Sequence, residues 1–143
     1  MSWPAQLATL ACWAAASADG ETLLEHFRHP RNHGVLPAPD VAYEDVNPLC
    51  GDRIRRELQV NAKQRITAVR FRGDACIISR AAASLLTEVI QHWTLQQVAR
   101  LSQETFLGLL HTTLRPSRVK CALLPLQVVH TGIAVCHTEG REL

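Results

Sequence analysis

Hydrophobic and polar residues alternate most clearly between Arg53 and Arg72. Ile54, Leu58 and Val60 fall on one side of an extended chain, and Arg55, Glu57 and Gln59 on the other. Asn61 to Arg65 supplies a polar turn, and Ile66 to Arg72 resumes the alternation, with Val69 and Phe71 opposed to Arg70 and Arg72. The pattern predicts a β-hairpin with one buried face, and Val41 to Val46 adds a short edge strand.

Elsewhere the apolar period lengthens to that of a helix. Leu23, Leu24 and Phe27 predict a short helix that Asp19 can cap and Pro30 ends. A turn over His29 to Gly34 and a proline-rich stretch over Leu36 to Asp40 follow. Ile78, Ala81, Ala82, Leu85, Leu86, Val89 and Ile90 mark a longer helix opened by Cys76, with Asp74 as the expected N-cap. Thr94 and Gln97 have the spacing of a capping box for a helix over Leu95 to Leu101, and another helix is expected from Glu104 to His111. A last helix, capped by Ser117, carries the stripe Val119, Ala122, Leu123, Leu126, Val129 and Ile133. Pro125 interrupts that stripe. It has no N–H for the carbonyl of Cys121, so a kink or a delayed start is expected there.

These elements predict an α+β domain: a small antiparallel sheet of about three strands with helices packed on one face. At 143 residues the chain has the size of one domain, here residues 19–143 behind an extension of residues 1–18. Leu7 to Ala18 mimics the apolar part of a secretion signal, but no Lys or Arg precedes it, and its twelve residues are too few to span a bilayer.

A formal charge of +2 gives no electrostatic case for nucleic acid, and three Trp, three Phe and one Tyr form no stacking series. Neither nucleic acid nor membrane is expected as a partner. Five cysteines, an odd number at uneven spacing, suit a reducing compartment such as the cytoplasm, with metal or sulfur chemistry rather than a disulfide framework.

The candidate chemistry centres on Asn47-Pro48-Leu49-Cys50-Gly51-Asp52. Pro48 fixes φ and Gly51 permits a positive one, so Cys50 and Asp52 can share a tight turn and face one point. Cys76 and Cys121 are each placed near the start of a helix, where unpaired N–H groups favour a thiolate. Cys50, Asp52, Cys76 and Cys121 are therefore read as one site. Arg53, Arg72, Arg80, Arg118 and Lys120 are close in sequence to these cysteines and either support the thiolates or form a solvated face. Cys12 and Cys136 are read as small buried hydrophobes. The seven histidines show no ligand spacing beyond the bare pair Cys136-His137, and none is assigned to a metal; nothing orients one as the base of a Cys-His hydrolase.

Asn-Pro-x-Cys-Gly-Asp, Phe71 to Ser79, Arg118 to Ala122 and the opening His26 to Gly34 together resemble the iron-sulfur cluster assembly scaffold family of the IscU, NifU and SufU type, over roughly residues 19–136. The resemblance implies an assembly scaffold rather than an enzyme. It would accept sulfur from a cysteine desulfurase, build a cluster of the 2Fe-2S type on Cys50, Asp52, Cys76 and Cys121, and pass it to apo iron-sulfur acceptor proteins. Any of the three cysteines is a candidate to receive the sulfur. The alternatives are a zinc-bound sulfurtransferase of the SufU type and a non-catalytic protein stabilised by zinc, since a Cys₃Asp set suits either metal. Asp52 is either the hard ligand that opens first or only a cap of its turn.

The chain departs from the better-known scaffold branch in two places. Lys120, not histidine, precedes the third cysteine, and Arg115 to Val119 replaces a Leu-Pro-Pro-Val-Lys segment. Arg118 and Lys120 resemble the SufU branch, but the 45 positions from Cys76 to Cys121 are too few for that branch's usual insertion. Ala75 stands where glycine usually precedes the second cysteine.

Overall fold

A computed structural model describes residues 21–47, 51–110 and 114–138. The expected extension, Cys50 and His111 lie outside the described residues.

Helix α1 (Glu21–Arg28) precedes three strands, β1 (Val41–Val46), β2 (Arg53–Val60) and β3 (Ile66–Arg72). The four helices that follow are α2 (Ile77–Ile90), α3 (Leu95–Ala99), α4 (Gln103–Leu109) and α5 (Pro116–Thr138). The strands form one antiparallel sheet in the order β1-β2-β3, and the architecture is the α+β arrangement expected. In its register Leu58 faces Val41 on one side and Val69 on the other, while Arg56 lies between Tyr43 and Phe71. Paired residues share a face of the sheet, so Ile54, Arg56 and Leu58 point the same way. That face is covered by α2 and α5, which also pack on each other.

Helix α5 is buried on two sides. Ala122, Leu123, Leu126, Val129 and Ile133 join the main core with α2, α3 and α4, and Leu124 and Val128 pack with Ile54, Phe71 and Ala83. Gly132 allows close passage over β1, because a Cβ there would stand 2.9 Å from the Cβ of Tyr43. By length and composition α5 could cross a membrane, but its apolar surface is largely used inside the fold.

Local signals succeeded where the hydrogen bonds are short-range. Thr94 and Gln97 form both halves of the capping box. Ser102, not anticipated, caps α4 by accepting from the Thr105 N–H. Three expectations change. Asp74 does not cap α2; its carbonyl accepts from the Arg53 N–H at 3.0 Å. Ser117 lies inside α5, which begins at Pro116. The helix also runs through Pro125 with no delayed start, and the Cys121 carbonyl, which loses its helical N–H to that proline, lies 2.8 Å from Ser79 Oγ.

Two side chains depart from the simple reading of their stripes. Leu24 is 41% exposed, and His26 takes its place inside at 0%. The His26 Nδ1 is 2.7 Å from Ser84 Oγ, which also accepts from the Arg31 N–H, and Nε2 is 3.3 Å from Glu88. Burial, aided by the positive charge of Arg31, pushes the His26 pKa down to about 4. On the outer face of the sheet Glu57, expected on the polar side, is buried: it accepts from the Leu36 N–H and pairs with Arg55 and Arg72. Burial of Glu57 acts to raise its pKa, but the Leu36 hydrogen bond and the two arginines outweigh it and hold the carboxyl below its ordinary value.

Candidate metal and sulfur centre

Asp52 follows a turn closed by two short backbone bonds, Gly51 N–H to the Asn47 carbonyl and Asn47 N–H to the Asp52 carbonyl, both 2.7 Å. Gly51 has φ of 75° and open space where a Cβ would stand, so the torsion is what requires glycine. The turn delivers Asp52 to the helix-covered side of the sheet at 5% exposure.

Its carboxylate caps α2 from a distance. Oδ1 accepts from the Cys76 N–H at 2.9 Å, and Cys76 is the N-cap residue of α2, whose own side chain makes no capping bond. Oδ2 lies 2.8 Å from Ser79 Oγ. A negative group at a helix start satisfies a free N–H and meets the positive end of the helix dipole. Asp52 thus does more than cap its own turn.

One ligand atom each from Asp52, Cys76 and Cys121 lies within 4.8 Å of the other two. Thiolates bound to one tetrahedral zinc at about 2.3 Å stand roughly 3.8 Å apart, so small side-chain rotations would close this group on an ion. Two sulfurs and a carboxylate also supply charge and softness suited to zinc or iron. Cys76 is half-buried, and Cys121 is 2% exposed. Cys121 falls in the second turn of α5, not the first.

Of the cations expected near the site, three have other partners. Arg53 pairs with Glu44 at 2.9 Å, Arg72 with Glu57, and Arg80 stacks over Phe27. Arg118 and Lys120 are exposed in the first turns of α5. Cys136 is buried in the main core, away from the cluster, as expected of a packing residue.

The model of the NifU-like N terminal domain family matches residues 18–140. The chain belongs to this family. Among relatives of this NifU-like chain, the zinc-dependent sulfurtransferase SufU of Bacillus subtilis is 28% identical over 131 residues, covering 80% of this chain and 88% of that protein. The iron-sulfur cluster assembly scaffold protein IscU of Aquifex aeolicus is 32% identical over 114 residues, covering 79% and 72%. The structure of the N-terminal part of a nitrogen-fixing NifU-like protein from Brucella abortus superposes with a TM-score of 0.70 at 17% identity, over 83% of this chain and 94% of that one.

Sequence reasoning passed over Ser79, which touches all three residues of the Asp52, Cys76 and Cys121 cluster. Its Oγ is 2.8 Å from Asp52 Oδ2, 2.8 Å from the Cys121 carbonyl and 3.7 Å from Cys76 Sγ. The signal was present in two spacings: Ser79 follows Cys76 by about one helical turn, and Pro125 follows Cys121 by the interval that frees its carbonyl.

Proposed function

We propose that this chain is an iron-sulfur cluster assembly scaffold whose centre is Cys50, Asp52, Cys76 and Cys121. The observation that carries the reading is the convergence of Asp52, Cys76 and Cys121 from three separate elements onto one point. Cys50 joins them by its position in the sequence, two residues before Asp52.

A cysteine desulfurase presents sulfur as a persulfide. A thiolate of this chain attacks the outer sulfur, a new S–S bond forms, and the desulfurase thiolate leaves with the electrons of the broken bond. Cys76 suits this step, being the more accessible of the two site thiols among the described residues. Two electrons from a thiol reductant such as free cysteine release that sulfur as sulfide, and iron and sulfide are then the cargo, held by the thiolates and Asp52 until an apo acceptor takes them. The odd cysteine count supports a cytoplasmic setting.

A second reading, a sulfurtransferase that works with bound zinc, has its own support. The Bacillus subtilis relative carries that description over most of both chains, and Lys120 stands before the third cysteine. In that reading zinc would hold the thiolates deprotonated, and one of them would leave it to take the sulfur.

Anaerobic incubation with a desulfurase, cysteine and ferrous iron separates the two. Visible cluster absorption with bound iron is expected for the scaffold. Retained zinc with accelerated desulfurase turnover would instead establish the sulfurtransferase, and neither result would refute both.

A further inference from the structure

We propose that Ser79 is the positioning residue of this centre, setting the orientation of the Asp52 carboxylate toward the ion through its hydroxyl. The inference rests on the metal-binding reading given above and adds a residue that is not itself a ligand.

Ser79 has no exposed surface and sits one turn into α2, behind Cys76. Two groups of that one helix grip the carboxylate: the Cys76 N–H holds Oδ1 and the Ser79 hydroxyl reaches Oδ2. A carboxylate held at both oxygens has its plane fixed. Ordering of this kind lets a ligand meet its ion without first losing rotational freedom.

The same hydroxyl is joined to α5. A serine O–H has one hydrogen, so it can serve Asp52 Oδ2 or the Cys121 carbonyl, both at 2.8 Å, but not both at once. The carbonyl is available because residue 125 is proline, whereas any other residue would offer it a helical N–H. Pro125 thus supplies the hydroxyl with a second acceptor, and Ser79 stands between the carboxylate and the backbone of the Cys121 ligand. The carboxylate keeps its orientation when it meets an ion, and the carbonyl keeps the hydroxyl within reach by anchoring Ser79 to α5.

The test is zinc affinity by competition with a chromophoric chelator on the full chain, with cobalt(II) substitution to report ligand geometry. Ser79→Ala should weaken zinc binding at least tenfold and change the intensity or position of the cobalt ligand-field bands. In an Asp52→Ala background the same substitution should weaken zinc less than twofold, because Ser79 acts through Asp52. A structural role alone would give equal losses in both backgrounds, and that result, or wild-type affinity and spectrum in Ser79→Ala, would overturn the proposal. Pro125→Ala leaves Ser79 intact and gives an independent reading. Affinity at or above wild type is expected, and a tenfold loss would show that the tie to α5, not the hold on Asp52, is what matters. Failure of the site itself would look different: Cys76→Ser would bind zinc as tightly as wild type.

Discussion

Replacing Arg56 by Met should make the protein more stable. Arg56 is 1% exposed on the inner face of β2, its guanidinium 6.0 Å from the centre of the Phe71 ring, and among the described residues none of its three nitrogens has a hydrogen-bond partner. Burial pushes its pKa well below the ordinary arginine value, down to about 9, still high enough for the group to be charged at neutral pH. At about 1.4 kcal/mol per pH unit, that drop corresponds to roughly 5 kcal/mol against the charged form. The stacking on Phe71 returns about 1–2 kcal/mol. Methionine keeps the unbranched apolar stem and removes the charge, so a net gain of about 2–3 kcal/mol is expected, within the range seen when buried charges give way to apolar residues. With a urea m-value of about 2 kcal/mol/M, the unfolding midpoint of the metal-free protein should rise by roughly 1 M with m unchanged.

The pH dependence supplies a second check on the same residue. The folded pKa lies below the unfolded one, so above about 9 the unfolded chain binds more protons and wild-type stability rises relative to Arg56→Met. The advantage of the variant should therefore narrow as the pH is taken above 9. A loss of about 3–5 kcal/mol on substitution would refute the reasoning, because only a guanidinium engaged with an acceptor would behave so.

Three further outcomes follow from the packing and the site. Gly73→Ala would place a Cβ in overlap with the Arg53 carbonyl oxygen and 2.9 Å from the Ile54 Cα, next to the Asp52 turn. It should cost about 3 kcal/mol or more in urea unfolding and weaken zinc binding as well; stability within about 0.5 kcal/mol of wild type would refute it. His26 has a folded pKa of about 4 against 6.5, so its contribution is complete above 6.5 and is lost as the pH falls toward 4. Chemical denaturation from pH 7 to 4.5 should show up to about 3 kcal/mol of lost stability that His26→Gln lacks, moderated by the Glu88 carboxylate beside the ring; parallel curves would count against it. Cys50→Ser, Cys76→Ser and Cys121→Ser should each lose most bound metal by elemental analysis while Cys136→Ser retains it. Equal losses in all four would remove the site.

The hairpin, the capping box and the α2 stripe were legible because each depends on residues within a few positions of one another. The grouping of Asp52, Cys76 and Cys121 was legible through their recurring motifs, although no local rule brings them together. What escaped was settled by tertiary contacts. Alternation places Arg56 between Ile54 and Leu58 on the apolar face, yet a count of apolar residues passes over a charged one. His26 replaced Leu24 inside because Ser84 and Glu88 of α2 give it polar company that a periodicity argument cannot see. Asp74 was the nearest capping residue in sequence, but the cap came from Asp52, 24 positions away.

The opening segment leaves its mark on how the sheet can meet another chain. Asn32 to Gly34 bonds to both backbone groups of Phe71, and His92 and Trp93 do the same for Ile66 at the other end of β3. Both ends of that border are therefore occupied by the chain's own loops. Among the described residues the remaining border is β1, six residues long and carrying Glu44 and Asp45 next to the turn that leads to Asp52. Strand addition by a foreign chain is accordingly confined to one short, acidic margin, and uncontrolled edge-to-edge aggregation has little to grow from.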